Sequence, residues 1–488
     1  MKFKHMIAGL ILAVSLPTLY SCENHFLDED PQDFLSPVNF YQSEADANAA
    51  VIATYANLRG TYNQNMYFLA DLPSDQTNPG TGSNIDRTNI DNFQFEPTNT
   101  ITTAVWNESY STINRANAVI ERVPGIAMDA GRKNAIIGEA RFLRALSYFH
   151  LVRLFGGVPL RLQETTSLTG LDIARSPVEE VYALIIADLK EAETSLPDQQ
   201  MGANLGRASK GAASTLLSYV YLTQKDWTNA AAKSQEVIDK AATYGYSLFE
   251  NAADIWKIQN ENKQEHIFMC QYQSGPEGLG SQYNHFFTSR QANAILVGGS
   301  GYAIHLVEDA FWKSFTPGDT RRDASILSSF TDPKTQKVIT YPSTLLSELS
   351  IFKYYDPASF ARNNNNNNYP ILRFADVLLI NAEALNEAGG PSEKAYESIN
   401  KIRLRAKLTE LKTGLTQQQF RDAVLQERSW EFCFESKRFF DLIRTETLIP
   451  VMKAAGKNPL PRNLLYPIPQ REIDVNNEIE QADQNPGY

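Results

Sequence analysis

Between Ala212 and Ile238 the chain reads as helix, polar turn, helix, and neither helix can bury its apolar face alone. Ala212 to Leu222 forms the first. Asp226 caps the second, which carries Trp227, Ala230, Ala231, Val237 and Ile238 on its inner face. A like pair recurs at Asp376–Glu387 and Ser392–Ala406, joined by the turn Gly389-Gly390-Pro391. Upstream, helices are expected over Phe40–Gly60, Val105–Val123 and Arg132–Phe155, the last stopped by Gly156-Gly157-Val158-Pro159. Ser176-Pro177 opens a further helix as cap and first-turn proline, ending near Leu196-Pro197. Hairpins of this kind gain stability by stacking on neighbours.

Leu217, Tyr221, Trp227 and Ala231 fall at offsets like those of a tetratricopeptide unit, a helix pair of ~34 residues. The expected fold is mainly α: a tetratricopeptide-like helical-hairpin stack of about four pairs, with long irregular loop-rich insertions containing short strands. One insertion, Thr61–Thr103, is rich in Asn, Thr, Asp, Gly and Pro. The other, Tyr244–Tyr369, mixes strand-like runs such as Ile267-Phe268-Met269 with the turn Gly298-Gly299-Ser300-Gly301. Asn363 to Asn368 is expected to be a mobile loop tip. Loops this long in a compact protein are functional or disordered, and their aromatic content favours function.

The N-terminus is built for export. Lys2, Lys4 and His5 precede an apolar run from Met6 to Leu16, too short to span a bilayer. Leu19-Tyr20-Ser21-Cys22 resembles a bacterial lipobox, although Tyr20 stands where a small residue is usual. That resemblance implies a signal peptide over residues 1–21, with Cys22 the lipidated (palmitate-bearing) first residue of the mature chain. The alternative is ordinary secretion with Cys22 a free thiol. Glu23 to Ser36 reads as an extended leader. The expected division is an N-terminal half over 22–225 and a C-terminal half over 226–488, in one compact body.

A formal charge of -11 argues against nucleic acid as partner, so the membrane is reached through the lipid alone. Cys270 and Cys433 sit in apolar stretches and are expected to be buried free thiols. No catalytic pattern stands out. The histidines lack metal-ligand spacing, and Tyr302 after Gly301 breaks the nucleophile-elbow pattern. Asp71, Asp75, Asp86 and Asp91 do not match a calcium loop and read as solvated carboxylates. No metal, cofactor or catalytic residue is assigned, and the chain is not expected to be an enzyme.

The densest pattern lies near the C-terminus. Glu427-Arg428-x-x-Glu431-Phe432-x-Phe434-Glu435-x-x-Arg438-Phe439-x-Asp441-Leu442-x-Arg444 is followed by Leu465-Tyr466-Pro467-Ile468-Pro469 and Gln484-Asn485-Pro486-Gly487-Tyr488. Read as a helix, it puts Glu431 and Glu435 one turn apart, and likewise Arg438 and Asp441. The interleaved phenylalanines imply partly buried charges that must pair. Together with Arg373-Phe374-Ala375-Asp376 and Gly138-Glu139-Ala140-Arg141, these motifs resemble the SusD/RagB family of Bacteroidetes outer-membrane lipoproteins, over nearly the whole chain.

The resemblance implies a single SusD-like fold and a surface-exposed glycan-binding lipoprotein of the outer membrane. Such a protein captures oligo- or polysaccharide for a SusC-like TonB-dependent transporter and acts as its lid. Peptide cargo, as for RagB-like relatives, and a surface glycoside hydrolase are the alternatives. In the family the insertions generally build the ligand face, and the helical repeats face the transporter. No motif carries individual ligand residues over. By residue type, the first insertion offers Tyr62, Tyr67, Asp71, Asp75 and Asn78, and the second Tyr272, Tyr283, Phe286, Tyr302 and Tyr341. Aromatic rings cover the C–H face of a sugar and polar side chains meet its hydroxyl rim.

Overall fold

The computed structural model describes residues 40–63, 65–167, 169–296, 301–358 and 361–488. Cys22, the signal segment, the leader to Ser36 and Gly298-Gly299-Ser300 lie outside them. Eight helices make the stack: α1 (Glu44–Tyr62), α2 (Thr100–Arg122), α3 (Ala130–Phe155), α4 (Val178–Ser195), α5 (Lys210–Thr223), α6 (Trp227–Asp239), α7 (Phe374–Gly389) and α8 (Glu393–Arg405). They pack in sequence as the hairpins α1/α2, α3/α4, α5/α6 and α7/α8, and each pair lies against the next. The mainly α stack of four pairs is therefore the observed fold.

Local chemistry explains the helix ends. Ser43, Asn99, Asp129, Ser209, Asp226 and Ser392 each accept a first-turn N–H through the side chain. Gly156 closes α3 at φ 75°, a left-handed position that glycine reaches without strain. One expected cap differs. Ser176 forms a β-bridge to Val158, and Pro177 stands at the cap position of α4 with no side-chain bond. Trp106 and Trp430 are buried and Trp227 is half-buried against the same core. Cys270 and Cys433 are buried free thiols.

The insertions carry the short strands, among them a hairpin of β5 (Ser329–Thr331) and β6 (Val338–Thr340). Strand β1 (Thr77–Asn78) of the first pairs antiparallel with β3 (Leu306–Val307) of the second, in a four-stranded sheet completed by β7 (Ser350–Ile351) and β4 (Ile326–Leu327). Strands β2 (His266–Cys270) and β8 (Tyr369–Arg373) form a fully buried antiparallel pair that returns the chain to α7. Ile267-Phe268-Met269 is thus a strand, as its composition predicts.

The asparagine run is not a loop tip. Asn365, Asn367 and Asn368 are buried, and the run is stitched down by its amides. Asn364 donates to the Gly275 carbonyl at 2.6 Å, Asn366 accepts from the Ser274 hydroxyl at 2.7 Å, and Asn368 accepts from the Tyr272 N–H at 2.6 Å. Gly280 admits this close approach, because a Cβ there would lie 2.7 Å from the Asn364 Cα. Asparagine carries a donor and an acceptor on one short stem, so such a run can hold irregular backbone as firmly as a ladder.

The C-terminal motif breaks where a continuous helix was expected. Helix α9 (Gln417–Glu431) ends, and α10 (Arg438–Arg444) starts after a bend in which Phe434 and Ser436 take φ 64° and 56°. The bend turns Glu435 inward to Arg373, which is fully buried and pairs with Glu435 at 2.8 Å, Glu431 at 2.9 Å and Glu265 at 2.7 Å. Arg405 joins at 2.6 Å from Glu431, and Lys353 at 2.7 Å from Glu435. Beyond it, Asp441 is gripped by Arg428 at 2.9 Å and Arg444 at 2.8 Å, not by Arg438. Burial pushes the Glu431 carboxyl up, but Arg405, Arg373 and Arg321 outweigh it and hold it well below the usual range. Replacing Arg373 with Met leaves three buried carboxylates short of their shared cation. We expect a loss of roughly 3–5 kcal/mol in urea unfolding, and a change below about 1 kcal/mol would remove the network from this role.

Candidate functional site

The two insertions meet through the β1–β3 pair, and most of their candidate rings turn inward. Tyr67 and Tyr283 are fully buried, Tyr62 and Tyr272 nearly so. Tyr67 packs on Phe287 with centroids 4.8 Å apart, and Tyr283 on Tyr354 at 5.0 Å. Tyr62 packs on Tyr369 at 5.4 Å. The Tyr283 hydroxyl donates to the Tyr62 carbonyl at 2.9 Å, while the Tyr62 hydroxyl meets His150 Nε2 at 2.6 Å. Burial drives all four phenols well above their ordinary pKa. These side chains are the zip between the insertions and not a ligand platform.

Asp71 and Asp75 are likewise anchors. Asp71 is fully buried and accepts the Ser436 N–H at 3.1 Å; burial raises its carboxyl well above the ordinary value. Arg438 holds Asp75 through two bonds of 2.8 Å. The other two acidic residues of this stretch are also engaged: Asp86 with the Thr100 hydroxyl, Asp91 with Lys457. The four carboxylates are therefore partnered, where the composition suggested solvated ones. Asp71 and Asp91 are buried and could not stay unpaired there, while Asp75 and Asp86 keep part of their surface. Asn78 is half-buried in β1, opposite Leu306. Phe286 is buried edge-on against Tyr302, with centroids 5.3 Å apart.

Tyr302 and Tyr341 are the two candidate rings that keep an open surface. Tyr302 is half-buried, the Arg362 guanidinium lies 4.0 Å over its ring, and its hydroxyl accepts from Asn363 at 3.0 Å. Tyr341 donates to Asp309 at 2.9 Å and stands edge-on to Trp312 at 5.9 Å.

A third aromatic surface lies in a cleft of about 780 Å³ whose walls include Trp256, Phe352 and Tyr355. All three rings are half-buried. Trp256 is backed by Lys353, whose ammonium lies 4.5 Å from the ring centre, and so is fastened to the buried ion network. Phe352 and Tyr355 stack at 4.8 Å. No motif or spacing marks Ala252-Ala253-Asp254-Ile255-Trp256 or Ile351-Phe352-Lys353-Tyr354-Tyr355 in the sequence, where short apolar runs in an insertion look like its own core. Aromatic residues flanked by Asp, Lys and Pro were the available signal.

Among the described residues no group of three His, Cys, Asp or Glu side chains could hold a metal ion, and no helix is long and apolar enough to cross a membrane. Open ring faces beside amides and hydroxyls suit recognition of a polyhydroxylated ligand.

Comparison with known proteins identifies the family. Residues 255–488 match the model of the SusD family, and residues 25–222 match a model described as starch-binding and associating with the outer membrane. SusD-like protein P2 of Formosa agariphila is 32% identical over 99% of this chain and 100% of its own. The chain belongs to the SusD/RagB family. The starch-binding protein SusD of Bacteroides thetaiotaomicron is 25% identical, over 88% of this chain and 85% of that one. Among solved structures, a laminarin-binding SusD-like protein superposes with a TM-score of 0.79 at 28% identity, covering 92% of this chain and 100% of that one.

Within this SusD-type body the zip residues have a measurable signature. Tyr283→Ala is expected to cost roughly 3–5 kcal/mol of stability, because it empties a closed aromatic cluster. Denaturant unfolding checks this. A variant as stable as the parent would return Tyr283 to the surface.

Proposed function

We propose that this protein is a glycan-binding lipoprotein of the outer-membrane surface. It is held there by lipid on Cys22 and hands oligo- or polysaccharide to a SusC-like TonB-dependent transporter, for which it acts as the lid. The observation that carries the reading is the match, over 92% of this chain, to a laminarin-binding member of the family. The paired insertions support it, since they leave half-buried rings beside Asn, Gln and Arg side chains. Contacts of this kind are shallow and individually weak. Tethering to membrane and transporter compensates by keeping the local concentration high. The chain binds and does not cleave.

Two experiments test this. In affinity electrophoresis against a polysaccharide panel beside an oligopeptide panel, retardation by at least one glycan is expected. Binding to peptides with none to glycans would assign the peptide role. For the anchor, Cys22→Ala is expected to leave a folded body in the soluble fraction, because each buried CH₂ of the acyl chains contributes about 0.8 kcal/mol to retention. Persistence of the variant in the membrane fraction of cells lacking the transporter would refute a lipid-only tether.

A further inference from the structure

The cleft between the Ala252–Trp256 turn, the Thr320–Ser325 helix and the Phe352–Ala358 segment is lined by none of the candidate residues read from the sequence. Its volume, about 780 Å³, is within the usual range for small-ligand sites. We propose that it is a saccharide subsite, and that the sugar it takes is neutral. This assignment rests on the glycan reading above and adds both the place and the charge class of the ligand.

Three observations carry it. The first is rigidity. Trp256 stands on Lys353 and lies edge-on to Tyr354 at 5.9 Å, and both of those side chains are buried. Phe352 and Tyr355 hold each other in a stacked pair. Ring faces fixed in advance lose little side-chain entropy when a pyranose lies on them.

The second is the set of unused polar groups. The Gln259 amide and the Thr320 hydroxyl are exposed at the cleft, and neither has a hydrogen-bond partner among the described residues. The indole N–H of Trp256 likewise has none. Together they offer donors and acceptors around an apolar wall, which is the pattern of a sugar's hydroxyl rim around its C–H face.

The third is charge. Among the described residues Lys257 is the one cation lining the cleft, and it is paired with Asp254 at 2.5 Å. Asp323 at the edge is exposed beside Arg322, 3.0 Å away. Asp356, in the wall, spends its carboxylate on the Asn366 N–H at 2.8 Å, the Asn366 amide at 3.0 Å and the Ala358 N–H at 2.9 Å. Among the described residues the lining thus holds Asp323, Asp356 and the paired Lys257, so a sulfate or uronate meets more negative than positive charge and gains little here to offset its desolvation. The Tyr302 corner, with Arg362 over the ring, has the opposite character.

The test is isothermal titration of the full mature chain with laminarihexaose, maltohexaose and cellohexaose, and with sulfated and polygalacturonate oligosaccharides as anionic comparators. The parent is expected to bind at least one neutral oligosaccharide. Tyr355→Ala should weaken that binding at least about tenfold. Gln259→Ala combined with Thr320→Val, which removes no buried contact, should weaken it several-fold at an unchanged melting temperature. If Tyr355→Ala fails to fold, the double variant decides. Unchanged affinity in the variants, loss confined to Tyr302→Ala, or preference for an anionic oligosaccharide would each overturn the assignment while leaving glycan binding intact. A parent that binds no oligosaccharide at all would instead bring down the glycan reading itself.

Discussion

Arg373 is the residue on which the architecture turns. It ends β8 and opens α7, and it is fully buried. A guanidinium out of water costs several kcal/mol unless its donors are met. Here they are met by carboxylates from three separate places: Glu265 ahead of β2, and Glu431 and Glu435 of the C-terminal motif. None of these groups is at rest without the others. The stack, the end of the second insertion and the C-terminal motif must therefore come together in one arrangement, and a misplaced segment would strand a buried charge.

The same network reaches outward in two directions. Through Lys353 it touches Trp256 and so sets one wall of the aromatic cleft. Through the bend at Phe434 to Ser436 it presents a backbone N–H to Asp71, and Arg438 takes Asp75 next to it. Gln76 adds bonds to the Ser429 carbonyl at 2.9 Å and hydroxyl at 3.0 Å. The first insertion is thus fastened to the C-terminal motif along its Asp71–Gln76 stretch, while Thr77 and Asn78 pair with the second insertion. Residues far apart in the chain cooperate to hold two irregular segments still.

This division explains what could be read in advance. Helical periodicity and caps are local, so the hairpins were legible to within a few residues, with Asp226 as a correctly placed cap. The need for the C-terminal charges to pair was also legible, from phenylalanines interleaved with Glu and Arg. Partner choice was not, because it depends on which segments meet in space. Glu435 finds Arg373, not a neighbour one turn away, and the helix breaks to let it do so. The insertions were the least legible. Tyrosine, aspartate and asparagine serve equally well in a solvent-facing site and in an irregular core that bonds most of their hydroxyls, carboxylates and amides. Tyr283, Asp71 and Asn368 took the second use.

What distinguishes the two uses is the satisfaction of polar groups. Asp71 and Tyr62 each have a bonded partner inside the protein, and such a group offers a ligand nothing that it would not first have to give up. Tyr355 is nearly in the same position, since its hydroxyl donates to the Leu296 carbonyl, but its ring still lines an open cleft. Gln259 and Thr320 have no internal partner and stand where a ligand would lie. Ring faces tolerate many sugars, whereas placed amides and hydroxyls discriminate among them. Selectivity among neutral glycans is therefore expected to reside in the polar edge of the cleft, and the affinity common to them in Trp256, Phe352 and Tyr355.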